Sequence, residues 1–217
     1  FTIPSGSMVP TLLVGDFVFV SKFSYGYSRY SFPFGVVPIP DRFPKGEPQR
    51  GDVAVFRLPS NPSENYIKRL VGVPGDRIQV KGGILHINGE AVRRERSDAC
   101  RALAGGSEPD KTGYVETMPG NKRHCIFERS DRDDLDNTPE FLVPPNHYFA
   151  MGDNRDNSID SRYRAPDGSR PVGFIPAANL VGRAEIVWLS LEEDMRWFEV
   201  WRWPTGLRFR RMFSGID

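Results

Sequence analysis

Short segments rich in β-branched and aromatic residues recur along most of the chain, and each is closed by a glycine or proline turn. Residues 17–20, Val53–Leu58 and Ile84–Ile87 are three of them. Such residues favour strands, and Asn88-Gly89 has the chemistry of a two-residue hairpin turn. The 21 glycines and 19 prolines argue against long helices. We therefore expect a mainly β fold, with antiparallel sheets in a coiled, partly barrel-like core and an extended β-ribbon insertion.

Changes in composition divide the chain into three parts. Apolar strand patterns fill residues 1–80 and 141–192, which we expect to form one discontinuous core. The charged stretch 81–140 is predicted to be a polar β-hairpin insertion, and residues 193–217 form a Trp/Arg-rich segment. Tryptophan beside arginine suits a membrane–water interface, but the segment could equally pack back onto the body. The aromatic, Pro- and Gly-rich loop 24–49 gives no chemical hint.

Charge, hydropathy and cysteine usage exclude several classes of protein. A net charge of +1 argues against a dedicated nucleic-acid binder. Nothing approaches the roughly 18 consecutive apolar residues of a membrane span. Cys100 and Cys125 can form one disulfide or remain two free thiols, and the sequence leaves both open. A metal site with His124 is disfavoured because adjacent side chains diverge and no Cys-x-x-Cys spacing is present. We expect neither a metal nor another cofactor.

The stretch Ser5-Gly6-Ser7 carries two hydroxyls around a glycine. If the segment is extended, alternate side chains point the same way, so Ser5 and Ser7 share a face. One hydroxyl could then attack a substrate while the other donates a hydrogen bond. A flexible tail is the simpler interpretation of the composition alone.

A serine nucleophile needs a base, and Lys68 is the stronger candidate. On a strand it shares a face with Tyr66 and Leu70, while Arg69 points the opposite way. This apolar setting would lower its pKa, which matters because only about one ordinary lysine in a thousand is neutral near pH 7.5. Lone histidines are more often structural, which makes weak candidates of His86, His124 and His147.

Three stretches occur in a fixed order: PSGSMVPTL at residues 4–12, YIKRLVGVPGD at 66–76 and GDNRDNSIDSR at 152–162. Together with GDVAVF at 51–56 they closely resemble the sequence boxes of bacterial type I signal peptidases, or leader peptidases. The resemblance covers most of residues 1–80 and 141–190 and is much weaker elsewhere.

The resemblance implies a role for each matching residue. Ser7 would be the nucleophile and Lys68 the general base, with the Ser5 hydroxyl and the Ser7 N–H as the oxyanion hole. Ser158 would orient the Lys68 amine, with its loop braced by Asp160 and Arg162. Two pockets would be lined by apolar residues: Ile3, Met8, Leu12 and Tyr66 for substrate position −1, and Phe1, Val18, Val55 and Ile67 for position −3.

The implied function is removal of N-terminal signal peptides from exported preproteins, bound in extended form, after small residues at −1 and −3. The expected location is the bacterial inner membrane at a lipid surface, with the catalytic part facing the periplasm. From the resemblance we also expect that the N-terminal transmembrane anchor typical of the family is not included in this sequence. Two alternatives remain: another Ser/Lys peptidase, such as a self-cleaving repressor, or a non-catalytic β module that binds peptides.

Overall fold

A computed structural model describes residues 1–26, 46–105, 108, 110–193, 195 and 206–216. Their strands are β1 Asp16–Ser21, β2 Val53–Leu58, β3 Asn61–Gly72, β4 Arg77–Lys81, β5 Ile84–Ile87, β6 Glu90–Ala91, β7 Arg93–Arg96, β8 Thr112–Met118, β9 Lys122–Glu128, β10 Phe141–Leu142, β11 His147–Met151, β12 Ile175–Pro176, β13 Leu180–Ser190 and β14 Ser214–Gly215. The α-helix α1 spans Asp98–Leu103, and short 3-10 turns include Gly6–Met8 and Arg155–Asn157. None of the helices in these ranges is long and apolar enough to cross a bilayer.

The largest sheet has seven strands in the order β1-β13-β2-β3-β11-β12, with β14 also paired to β13. A second sheet runs β10-β4-β5-β6, and a third runs β7-β8-β9. Neighbouring strands are antiparallel throughout these sheets. The prediction of a mainly β fold with antiparallel sheets is confirmed, and among the described residues none of the sheets closes into a barrel.

One apolar cluster joins parts of the chain that composition separates. Val71, Val80 and Phe149 of the predicted core pack in the same cluster as Leu85 and Met118 of the predicted insertion. The second sheet thus buries its apolar face against β3 and β11. The division of the chain into three parts stays a prediction.

The two cysteines form a disulfide that ties α1 to β9. Their sulfurs are 2.01 Å apart and their Cα atoms 5.5 Å apart. Cys100 packs in a cluster with Val9 and Leu13, directly after the Ser5-Gly6-Ser7 stretch. The disulfide is therefore part of the support beneath that stretch.

Much of the aromatic loop and of the Trp/Arg segment lies outside the described residues. This holds for residues 27–45 and for Trp197, Trp201 and Trp203. The described end of the chain packs on the body, since Arg211 Nη2 lies 2.6 Å from Asp16 Oδ2.

Candidate active site

The two serines come together through a turn. Ser5 is extended, with φ −139° and ψ 154°, and a 3-10 turn follows at Gly6–Met8. The expectation of a continuous extended segment is wrong, because the turn rotates Ser7 inward after Ser5. The two hydroxyl oxygens nevertheless lie 3.4 Å apart, with Ser7 buried. The turn thus gives the same result that alternation on a strand predicts.

Lys68 projects from β3 onto the buried Ser7 hydroxyl. Its Nζ lies 2.6 Å from Ser7 Oγ, donates to the Ile67 carbonyl at 3.0 Å, and sits 5.4 Å from the centre of the Tyr66 ring. Burial lowers the pKa of Lys68 to about 8, against the opposing charges of Asp160 and Asp153. About a tenth of the amine is therefore neutral at pH 7 and about half at pH 8, which makes it usable as a general base.

The loop after β11 packs against the serine turn so closely that glycine is required at its start. A Cβ atom on Gly152 would overlap the Ser158 hydroxyl and lie 2.5 Å from the Ser7 carbonyl oxygen. Two residues on, the backbone N–H of Asn154 donates to Ser7 O at 3.1 Å, and its side-chain amide donates to Gly6 O at 2.8 Å. Gly152 and Asn154 lie within the third sequence box, but sequence reasoning gave them no role.

Two buried ion pairs hold this loop. Arg162 Nη2 lies 2.8 Å from Asp160 Oδ2, and Asp160 also accepts from the Gly152 N–H at 3.0 Å. Arg69 Nη2 lies 2.9 Å from Asp153 Oδ2. Burial opposes ionisation of both carboxylates, but the paired guanidiniums outweigh it and hold the pKa values of Asp160 and Asp153 below their usual range. The Arg69–Asp153 pair was not foreseen, because its partners are 84 residues apart.

Ser158 lies beside the dyad without bonding to it. The residue is buried, and within the described ranges its Oγ has no hydrogen-bond partner. Both Ser158 and Lys68 line one cleft. The expected role of Ser158 in orienting the amine therefore stays a prediction.

The dyad opens into a cleft of about 1110 Å³. Of the eight predicted pocket residues, Tyr66 and Ile67 line it. Phe1 is 45% exposed. The other five are buried: Ile3, Met8, Leu12, Val18 and Val55. Four of these pack with Ile67 in one apolar cluster: Ile3, Met8, Leu12 and Val18. Most of the predicted pocket set thus lies behind the cleft wall rather than on it.

One edge of β3 is open beside the dyad. Strand β2 pairs with β3 on one side as far as Arg69, whereas β11 pairs on the other side only between Arg69 and Gly72. In the part of the chain that the structure describes, residues 64–67 have no strand neighbour on that second side, and they line the cleft. An extended peptide could therefore pair with this edge and reach Ser7.

The sequence comparisons with known proteins agree on one family. The sequence model described as signal peptidase, peptidase S26, matches residues 1–189. A signal peptidase I of Pseudomonas aeruginosa is 44% identical over 197 residues, covering 88% of this chain and 64% of that protein, so the chain spans less than two thirds of its length. A signal peptidase I of Rickettsia typhi is 37% identical over 235 residues, covering 100% of this chain and 84% of that protein. Among solved structures, a signal peptidase I from Enterococcus faecalis is 26% identical, covers 63% of this chain and 96% of its own, and has a TM-score of 0.38.

Proposed function

The chain belongs to the signal peptidase family S26, and from that premise we propose that it is a serine endopeptidase that removes N-terminal signal peptides from exported preproteins through a Ser7–Lys68 dyad. The observation that carries the proposal is the 2.6 Å contact between Ser7 Oγ and Lys68 Nζ inside the buried end of a peptide-sized cleft. A serine and a base within hydrogen-bond reach are the minimum for nucleophilic catalysis.

The proposed chemistry uses Lys68 in its neutral form. Its lone pair takes the Ser7 hydroxyl proton while Ser7 Oγ attacks the scissile carbonyl carbon. The Ser5 hydroxyl and the Ser7 N–H would donate to the resulting oxyanion, and one such donor is typically worth about 3–4 kcal/mol. The Lys68 ammonium then gives its proton to the leaving amine. Water, activated by the same amine, releases the signal peptide from the ester on Ser7.

The open edge of β3 supports the proposed way in which substrate binds. A peptide added as a strand along residues 64–67 sends side chains −1 and −3 towards the same wall. Behind that wall lie the buried side chains of Ile3, Met8 and Leu12, so the wall offers apolar contact but little depth. Such a wall would favour substrates with small residues at positions −1 and −3.

The partner surface we propose is lipid. Phe19 and Ile186 pair across β1 and β13, and both are exposed. The neighbouring Trp188 ring lies 5.8 Å from the rings of both Phe17 and Phe19. Exposed aromatic and aliphatic side chains in one patch suit a membrane interface. We place the catalytic part at the periplasmic face of the inner membrane.

The direct test is cleavage of a preprotein whose signal ends in Ala-x-Ala. We expect product with the expected new N-terminus, and a loss of about 10³-fold or more in both Ser7→Ala and Lys68→Ala. Lys81→Ala, on the exposed side of β4, is the matched control and should keep full activity. Cleavage that persists in either dyad variant would remove the Ser/Lys assignment. Peptide binding without cleavage would favour a non-catalytic module instead.

A further inference from the structure

Three carboxylates from separate parts of the chain meet beside the cleft. Glu128 ends β9, Asp136 lies in the connection to β10, and Asp156 belongs to the 3-10 turn Arg155–Asn157. One oxygen from each lies within 4.8 Å of the other two. Glu128 is 2% exposed and Asp136 is 0% exposed. None of the three belongs to the catalytic machinery proposed above.

Each of these carboxylates has one oxygen with a neighbour and one without. Asp136 Oδ2 and Asp156 Oδ2 each accept from backbone N–H groups within residues 129–133. Glu128 Oε1 lies 3.7 Å from Arg94 Nη1. Glu128 Oε2, Asp136 Oδ1 and Asp156 Oδ1 are buried, and no hydrogen-bond partner for them exists among the described residues. Buried polar atoms are normally paired, so an unpaired oxygen on each of three neighbouring carboxylates calls for a ligand.

The surrounding cations do not fully neutralise the cluster. Each of the guanidiniums that act on it is bound to another carboxylate: Arg94 to Asp131, Arg155 to Glu116 and Arg162 to Asp160. These guanidiniums are therefore shared with other carboxylates, and the side chains of the described residues neutralise the cluster only in part.

We propose that Glu128, Asp136 and Asp156 bind one divalent cation of the Ca²⁺ type. Carboxylate oxygens are the ligands that Ca²⁺ takes, at about 2.3–2.6 Å, so two ligands of one ion lie at most about 5 Å apart. The observed spacing of the three oxygens satisfies this limit. Backbone carbonyls or water would complete the coordination.

The ion would join two walls of the cleft. Asp156 lies two residues before Ser158, and the segment that carries Asp136 also supplies Leu135 and Asn137 to the cleft lining. Bound cation would hold this segment against the loop that contacts the serine turn. It would act as a structural ion, outside the hydrolytic chemistry.

The test is calcium binding by the unmutated, EDTA-treated protein, measured by isothermal titration calorimetry with CaCl₂. We expect one saturable site per chain with a dissociation constant near or below 0.1 mM. In 5 mM CaCl₂ the melting temperature should then rise by about 5 °C. Absence of a saturable site would overturn the proposal.

Glu128→Gln keeps the shape of the side chain and removes its charge, so it should abolish both the binding heat and the shift in melting temperature. Asp134→Asn is the matched control, because Asp134 is exposed in the same segment, and it should keep both. If Glu128→Gln fails to fold, Asp156→Asn replaces it with the same expectation. Calcium binding that survives the loss of the carboxylate would refute the site.

Discussion

Replacing Lys68 with methionine should stabilise the protein at neutral pH and destroy its activity. Methionine has nearly the shape of lysine without the amine. The buried Lys68 has a pKa of about 8 in the folded chain, against about 10.4 in an unfolded one. Below pH 8 the unfolded chain binds the proton more tightly, so this lysine weakens folding there. As pH rises from 8 to 10.4, that penalty disappears.

The size of the effect follows from the two pKa values. At about 1.4 kcal/mol for each pKa unit, the penalty is about 3 kcal/mol at pH 7 and below 1 kcal/mol at pH 10. Methionine also loses the amine's hydrogen bonds to Ser7 Oγ and the Ile67 carbonyl, at about 1 kcal/mol each. The net gain for Lys68→Met is about 1 kcal/mol at pH 7. At pH 10 the variant should be less stable than the parent by a similar amount.

Differential scanning calorimetry of parent and variant at pH 7 and pH 10 measures this change of sign. About 1 kcal/mol corresponds to about 2–4 °C in melting temperature for a chain of this size. Lys81→Met, at an exposed position on β4, serves as control and should show no such dependence on pH. A Lys68→Met variant whose melting temperature differs from the parent by the same amount at both pH values would refute the buried, perturbed lysine.

Three further predictions concern activity. The kcat/KM for preprotein cleavage should rise about tenfold per pH unit below the Lys68 pKa of about 8 and level off above it; a flat profile between pH 6 and 9 would contradict a lysine base. Arg162→Met should move the rise of kcat/KM to higher pH, because the Asp160 charge that favours the ammonium form of Lys68 loses its guanidinium. The pH at which kcat/KM rises does not depend on how much of the enzyme is folded. If that pH is unchanged in the variant, the ion pair has no influence on the pKa of Lys68. Gly152→Ala should lower kcat/KM by about 100-fold or more, since the new methyl group overlaps Ser158; full activity with an unchanged circular dichroism spectrum would show that the loop can move aside.

The fold class was predictable because strand patterning is local. Val53–Leu58 is almost entirely apolar, and the structure makes it the buried strand β2 between β13 and β3. The proximity of Ser7 and Lys68 was available only through the family resemblance, since no local pattern joins positions 61 residues apart. The backbone of the serine stretch was mispredicted because alternation assumes a strand, whereas a 3-10 turn depends on what packs over it.

The site residues that sequence reasoning left unassigned act through long-range contacts. Asn154 bonds the carbonyls of Gly6 and Ser7 across almost 150 positions of sequence. Nothing near Asn154 indicates that contact, and an Asx-rich loop is ordinarily a solvated turn. The sequence shows a glycine at position 152 but not why glycine is needed there. The need arises because the Ser158 hydroxyl and the Ser7 carbonyl lie next to it in the folded chain.

The two buried ion pairs Arg162–Asp160 and Arg69–Asp153 limit the effect of nearby carboxylates on the pKa of Lys68. Asp160 and Asp153 are close enough that their charges raise the pKa of Lys68 and so oppose its use as a base. Each is bound by a guanidinium, Arg162 or Arg69, at 2.8–2.9 Å, which offsets its field at the amine. Buried ion pairs contribute little net stability once desolvation is counted, so stability alone does not account for two of them here. The carboxylates hold the backbone of the loop against the serine turn, and the guanidiniums offset the negative field that favours the ammonium form of Lys68. We infer that the position of the loop and the basicity of Lys68 depend on the same four charged residues.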